Sequence, residues 1–193
     1  MKRLVCLFAV MSIVLGASLA AGAVSIDGDV SYLFGLGNQK AAGFAGHAMV
    51  EVMSQVLADG SFSAVTPKGD GAGPSEQLFT LGGLYRVASE DDLQVFVGGG
   101  FAMLTRPEVD KGQGIYGKFG FKLIPMEKLT LIADVAYAPK YKVGDVTSNL
   151  TTARATISYD VMENVAVQGT FKHYRSGDVN SGILIGGGVS VTF

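Results

Sequence analysis

Cysteine is all but missing: Cys6 is the only one in 193 residues. It stands in a segment that reads as a removable leader, so disulfides and thiolate metal sites are excluded from everything after it. Histidine is nearly as scarce. His47 and His173 are far apart and neither has a partner at ligand spacing, so no metal or cofactor site is expected. Basic charge is not in excess either. Without Lys2 and Arg3, the 15 Lys and Arg fall to 13 against 17 Asp and Glu, a net charge of −4, which is not the balance of a nucleic-acid binder. Beyond residue 23 no apolar run reaches the length of about 18 residues that a membrane-crossing helix needs.

What is present begins with Met1-Lys2-Arg3, then an almost unbroken apolar run from Leu4 to Leu15, then small residues ending in Ala21-Gly22-Ala23. Basic start, short apolar core and A-x-A exit are the three parts of a secretory signal peptide. Residues 1–23 are therefore expected to be removed, leaving 24–193 as a single domain. Cys6 sits too early for a lipid-attachment site.

Residues 24–193 alternate with a period of two. Val24, Ile26, Gly28, Val30, Tyr32 and Phe34 oppose Ser25, Asp27, Asp29 and Ser31. The same pattern recurs over Phe44–Val52, Phe79–Val87, Leu93–Met103, Ile115–Leu123, Leu129–Tyr137, Ala153–Val161 and Val165–Phe171. At the end, Ile183, Ile185, Gly187, Val189, Val191 and Phe193 share one face, with Leu184 out of place on the other. Each stretch has about the 9–11 residues of a tilted strand that crosses a bilayer, and hydrophobicity spread thinly in this way is what alternate lipid contact produces.

The connections carry a second regularity. Short ones near Asp59-Gly60, Ser89–Asp92, Pro125–Lys128 and Met162–Asn164 alternate with longer polar ones near Gly35–Ala42, Pro67–Glu76, Thr105–Gln113, Pro139–Asn149 and Arg175–Ser181. All five prolines, at 67, 74, 107, 125 and 139, are expected in these connections, where a missing N–H harms no ladder. The alternation requires Ser61–Thr66 to be a strand. The expectation is then ten antiparallel strands, or eight if Ser61–Thr66 and a neighbour lie outside the sheet.

Alternation alone does not say which face points inward, and a soluble sandwich or lipocalin-like barrel would put the apolar face around a core. The leader, the missing cysteines, the turn and loop asymmetry, the 27 glycines and the aromatic last residue favour the opposite orientation. The chain resembles small bacterial outer-membrane β-barrels. In its second half it is similar to the YfaZ-like group, in Tyr137-Ala138-Pro139, in Asn164-Val165-Ala166-Val167-Gln168-Gly169-Thr170-Phe171-Lys172-His173-Tyr174-Arg175 and in Gly188-Val189-Ser190-Val191-Thr192-Phe193. The resemblance implies an all-β, transmembrane up-and-down barrel in a Gram-negative-type outer membrane. It also implies that Val189, Val191 and Phe193 form a signal read by the barrel-assembly machinery. It implies no reaction.

With the apolar face outward, the inward face carries Asp27, Asp29, Glu51, Asp134 and Asp160 against Arg86, Lys118, Lys122, Arg154 and Lys172, five of each sign. In a bore of eight to ten strands, barely wider than its side chains, such charges must pair. The expectation is a lumen filled by an ion-pair network, with His47, Tyr116 and Tyr174 as polar additions. Catalysis is not expected. His173-Tyr174-Arg175-Ser176 resembles the His-x-Ser element of outer-membrane lipid A deacylases. It has one residue too many, so the two side chains fall on opposite strand faces, and Gly177 stands where that family has Asn. Gly98-Gly99-Gly100 and Gly186-Gly187-Gly188 lie within strand patterns and precede no helix, so they read as sites of close backbone approach rather than phosphate loops. The function expected is therefore a structural or surface-interaction barrel. It would be a monomer contacting outer-membrane lipid and lipopolysaccharide, with a narrow porin as the alternative and a lipid A-modifying enzyme behind both.

Overall fold

The computed structural model describes residues 25–36, 40–68, 75–105, 111–143, 146–176 and 179–193. The expected leader, and the prolines at 74 and 107, lie outside the described residues. Ten strands form: β1 (Ile26–Gly35), β2 (Ala41–Met53), β3 (Val56–Pro67), β4 (Glu76–Ser89) and β5 (Leu93–Thr105), then β6 (Gly112–Met126), β7 (Leu129–Val143), β8 (Val146–Met162), β9 (Val165–Ser176) and β10 (Val179–Thr192). Each pairs antiparallel with its neighbours in sequence, and β10 returns to β1, so the sheet closes into a barrel with no free edge. Among the described residues there is no helix. The closing seam runs from Asp27↔Thr192 to Gly35↔Leu184, and at its end Ile26 and Phe193 exchange both backbone hydrogen bonds at 2.9 Å.

The faces resolve the orientation. Outward positions are apolar and bare, among them Phe44, Leu81, Phe119, Ile157 and Val167, with Ile115 77% exposed. Inward positions include Ser31, Asp59, Ser63, Thr170 and Lys172, all buried. A soluble barrel would carry the reverse; a wall of bare apolar side chains around the whole sheet is a lipid-facing surface. The protein is a transmembrane antiparallel β-barrel.

Three departures from the sequence expectations have local causes. The turn expected at Asp59-Gly60 lies instead between Met53 and Val56, and β3 runs straight through both residues. Asp-Gly is a strong turn signal, but Val56, Ala58, Gly60 and Phe62 already alternate with Leu57, Asp59 and Ser61, and pairing with β2 and β4 satisfies the backbone on both sides. The connections expected at 139–149 and 175–181 are largely strand, with β7 reaching Val143, β8 starting at Val146, β9 reaching Ser176 and β10 starting at Val179. Prolines are accordingly tolerated inside strands. Pro139 and Pro125 fall at register shifts, between Ala138 and Tyr141 and between Leu123 and Met126, where the ladder needs no N–H from them. Pro67 is the last residue of β3.

The lumen is not polar throughout, as the sequence suggested, but layered. Toward the short turns Met49, Leu57, Leu84 and Phe96 pack together. Toward the other rim Leu33, Ala45, Val65, Tyr174 and Leu184 form one cluster, so Leu184, out of place in the alternation, is a lumen-filling residue. Leu78, Leu104, Tyr116, Tyr141 and Leu150 belong to a second. The walls must curve tightly to permit this. A Cβ at Gly186 or Gly188 would run into the backbone carbonyl oxygens of Tyr32 or Val30 across the seam, so the second glycine triplet lets β10 approach β1.

Candidate functional site

Between the apolar layers six strands each contribute one side chain to a closed ring: Asp29 from β1, His47 from β2, Asp59 from β3, Lys118 from β6, Asp134 from β7 and Arg154 from β8. Each sits on a lumen-facing position of its strand, two residues from further inward neighbours, so the period of two delivers the groups and barrel closure brings them together. His47 Nε2 lies 2.8 Å from Asp59 Oδ1 and Nδ1 lies 3.5 Å from Asp29 Oδ2. Lys118 Nζ donates to both Asp59 oxygens at 2.9 and 3.0 Å and lies 3.6 Å from Asp134 Oδ1. Arg154 donates to Asp134 Oδ2 from Nε at 2.8 Å and approaches it with Nη2 at 2.7 Å, while its Nη1 reaches Asp29 Oδ2 at 3.4 Å. The circuit is complete. Gln168 ties it to a hydroxyl chain: its Nε2 donates to Asp29 Oδ1 at 3.3 Å and to Ser31 Oγ at 2.7 Å, and Ser31 Oγ lies 2.8 Å from Thr170 Oγ1.

Every charged member of the ring is nearly dry; the Asp59 side chain has no exposure at all. Such groups persist only when geometry and further hydrogen bonds offset desolvation. Here each carboxylate meets at least two donors. Thr156 Oγ1 and the Tyr116 hydroxyl, both in the lumen, are buried without a hydrogen-bond partner among the described residues.

Four of the ten charges expected in the lumen pair lower down, in two pairs. Arg86 Nη2 donates to Glu51 Oε2 at 2.9 Å and its Nη1 to the Ser54 carbonyl at 2.9 Å. Lys122 Nζ donates to Asp27 Oδ2 at 3.1 Å, and Asp27 Oδ1 accepts from the Thr192 hydroxyl at 2.8 Å. These account for Glu51, Arg86, Asp27 and Lys122 at the inner mouth. Asp29, Lys118, Asp134 and Arg154 belong to the ring. The remaining two differ from the expectation of full pairing. Asp160, near the end of β8, is exposed and makes no ion pair among the described residues, because at the rim water solvates a carboxylate without a partner. Lys172 faces the lumen, 6% exposed, and likewise makes none.

Asp59 is the member that sequence reasoning missed, since Asp-Gly was read as a turn; the alternation running back from Phe62 to Val56 is the signal that identifies it. Of the assembly-signal residues, Val189 faces outward on β10, Val191 follows it, and Phe193 is 65% exposed beside Ile26. His173 Nδ1 donates to the Gly182 carbonyl at 2.9 Å across a register shift at which Gly182 takes φ 74°. The Ser176 side chain lies outside the described residues, as does Gly177. Tyr174 donates to Glu76 at the outer side of the lumen.

No protein-family model and no curated protein matches the chain. Solved structures do. The outer membrane protease OmpT of Escherichia coli superposes with a TM-score of 0.58 at 13% identity, over 88% of this chain and 97% of that one. An outer membrane channel of Pseudomonas putida F1 gives 0.52 at 9% identity, over 88% and 95%. A protease and a channel thus share this architecture, and at such identities the likeness is one of fold: this chain has the fold of the small outer-membrane β-barrels.

Proposed function

We propose that the protein is a structural or surface-interaction barrel of a Gram-negative-type outer membrane, monomeric, without catalytic activity and closed to steady ion flow. The observation that carries this is the ring of Asp29, His47, Asp59, Lys118, Asp134 and Arg154, which spans the bore between two apolar layers. A conducting pore needs continuous water. Moving an ion through this section would require Arg154 to leave Asp134 or Lys118 to leave Asp59, each at the cost of an unpaired buried charge. In this reading residues 1–23 direct export, and Val189, Val191 and Phe193 are recognised by the assembly machinery. The outer connections meet lipopolysaccharide, and the second-half motifs make the chain a relative of the YfaZ-like group.

A narrow porin is the second reading, favoured by the partly wet inner mouth, where the Lys122 and Asp27 side chains keep 20% and 28% of their exposure. Conductance of refolded protein in planar bilayers decides between them. The closed reading expects no steady current; robust ohmic pores from the wild type would overturn it. Lipid A mass in cells expressing wild type or Ser176→Ala should be identical, and a difference would revive the enzyme.

A further inference from the structure

The ring leaves one cation out. Lys172 points into the lumen from β9, level with Arg154 on β8 and Leu184 on β10, is buried, and makes no ion pair with any described residue. Inside a bilayer-spanning tube a buried ammonium requires a counter-charge or a shell of acceptors.

A cavity of about 30 Å³ lies beside it. Its wall carries five formal charges, Asp29, Lys118, Asp134, Arg154 and Lys172, three positive and two negative. The two carboxylates are already turned to other donors, Asp134 to Arg154 and Asp29 to Arg154, Gln168 and His47. Asp59, which balances the wider count, stands behind Lys118 with both oxygens engaged by its ammonium. With Asp59 counted, three cations meet three carboxylates, and Lys172 is the cation whose donors are unspent. Thr170, whose hydroxyl joins the Ser31 chain, and Tyr116, whose hydroxyl makes no hydrogen bond among the described residues, complete the polar part of the wall.

A space of this size takes at least one body of water size, which a monatomic anion is. We infer that this cavity is a binding site for a single monovalent inorganic anion of chloride size, with Lys172 as its principal counter-charge. Tyr174, two residues on along β9, and Leu184, level with Lys172 on β10, belong to the apolar cluster toward the outer rim.

The test refolds wild type and Lys172→Met from denaturant in sodium chloride, sodium bromide or sodium gluconate at equal ionic strength. Crystals grown from the bromide preparation should show one anomalous peak in the cavity, within ion-pair distance of Lys172 Nζ. The thermal midpoint of the wild type should be higher in either halide than in gluconate. Lys172→Met should lose both the peak and the halide difference. A cavity without anomalous signal in the wild type overturns the inference, as does a halide difference that survives in Lys172→Met. Should Lys172→Met fail to refold, the wild-type bromide map decides alone.

Discussion

Truncating Arg154 tests the lumen most directly. Its guanidinium meets Asp134 Oδ2 twice, at 2.7 and 2.8 Å, and Asp29 Oδ2 once, at 3.4 Å. The side chains involved keep only 11%, 10% and 14% of their exposure, so water screens little of the interaction. Arg154→Ala leaves both carboxylates inside the tube, Asp134 with Lys118 at 3.6 Å as its nearest cation. Removing one partner of a buried pair costs about 3–5 kcal/mol, and that is the loss expected here. The double variant Arg154→Met with Asp134→Leu removes the charge and its partner together. It should recover most of the loss, since apolar replacement of a whole buried pair is often near neutral. The protein contains no tryptophan, so urea unfolding from phospholipid vesicles is best followed by far-UV circular dichroism and by heat-modifiable gel migration. A loss under about 1 kcal/mol for Arg154→Ala, or a double variant as unstable as the single, would refute the claim that pairing holds these charges in the lumen.

Lysine at Val97, Ile157 or Val167 should cost roughly 2–4 kcal/mol near the bilayer midplane, measured by the same unfolding assay; no cost would mean that these bare side chains do not face lipid. Thr156→Val removes a buried hydroxyl that has no partner, so its stability should match or exceed the wild type, and a loss above about 1 kcal/mol would show that the hydroxyl is bonded. Deleting Phe193, or replacing it with Asp, should leave export intact while blocking membrane assembly, seen as loss of heat-modifiable migration. Normal migration of the deletion would remove the assembly role from the last strand.

The strands were legible because a period of two with one apolar face is a one-dimensional property, visible wherever polar and apolar residues alternate for about nine positions. Val97 and Val167 could be assigned to a face from their neighbours alone. Strand ends were less legible. Pro139 and Asp59-Gly60 carry strong local signals for interruption, yet the ladder absorbs the first at a register shift and overrides the second, because neighbouring strands supply hydrogen bonds that a local signal does not anticipate. Leu184 was an exception to the pattern in sequence and a packing residue in space.

Inward charge was a property of the sequence as well, since Asp29, Lys118, Asp134 and Arg154 occupy the polar parity of their strands. Which of them meet was not. Arg154 and Asp29 are 125 residues apart, and Lys118 and Asp59 are 59 apart. Their contacts depend on closure and on the stagger between ten strands, quantities that no single strand encodes. For the same reason alternation could not say which face was inside. A sheet has two faces of equal standing until it closes, and the direction of closure, toward the polar side, is what makes one face a lipid surface and the other the wall of the lumen.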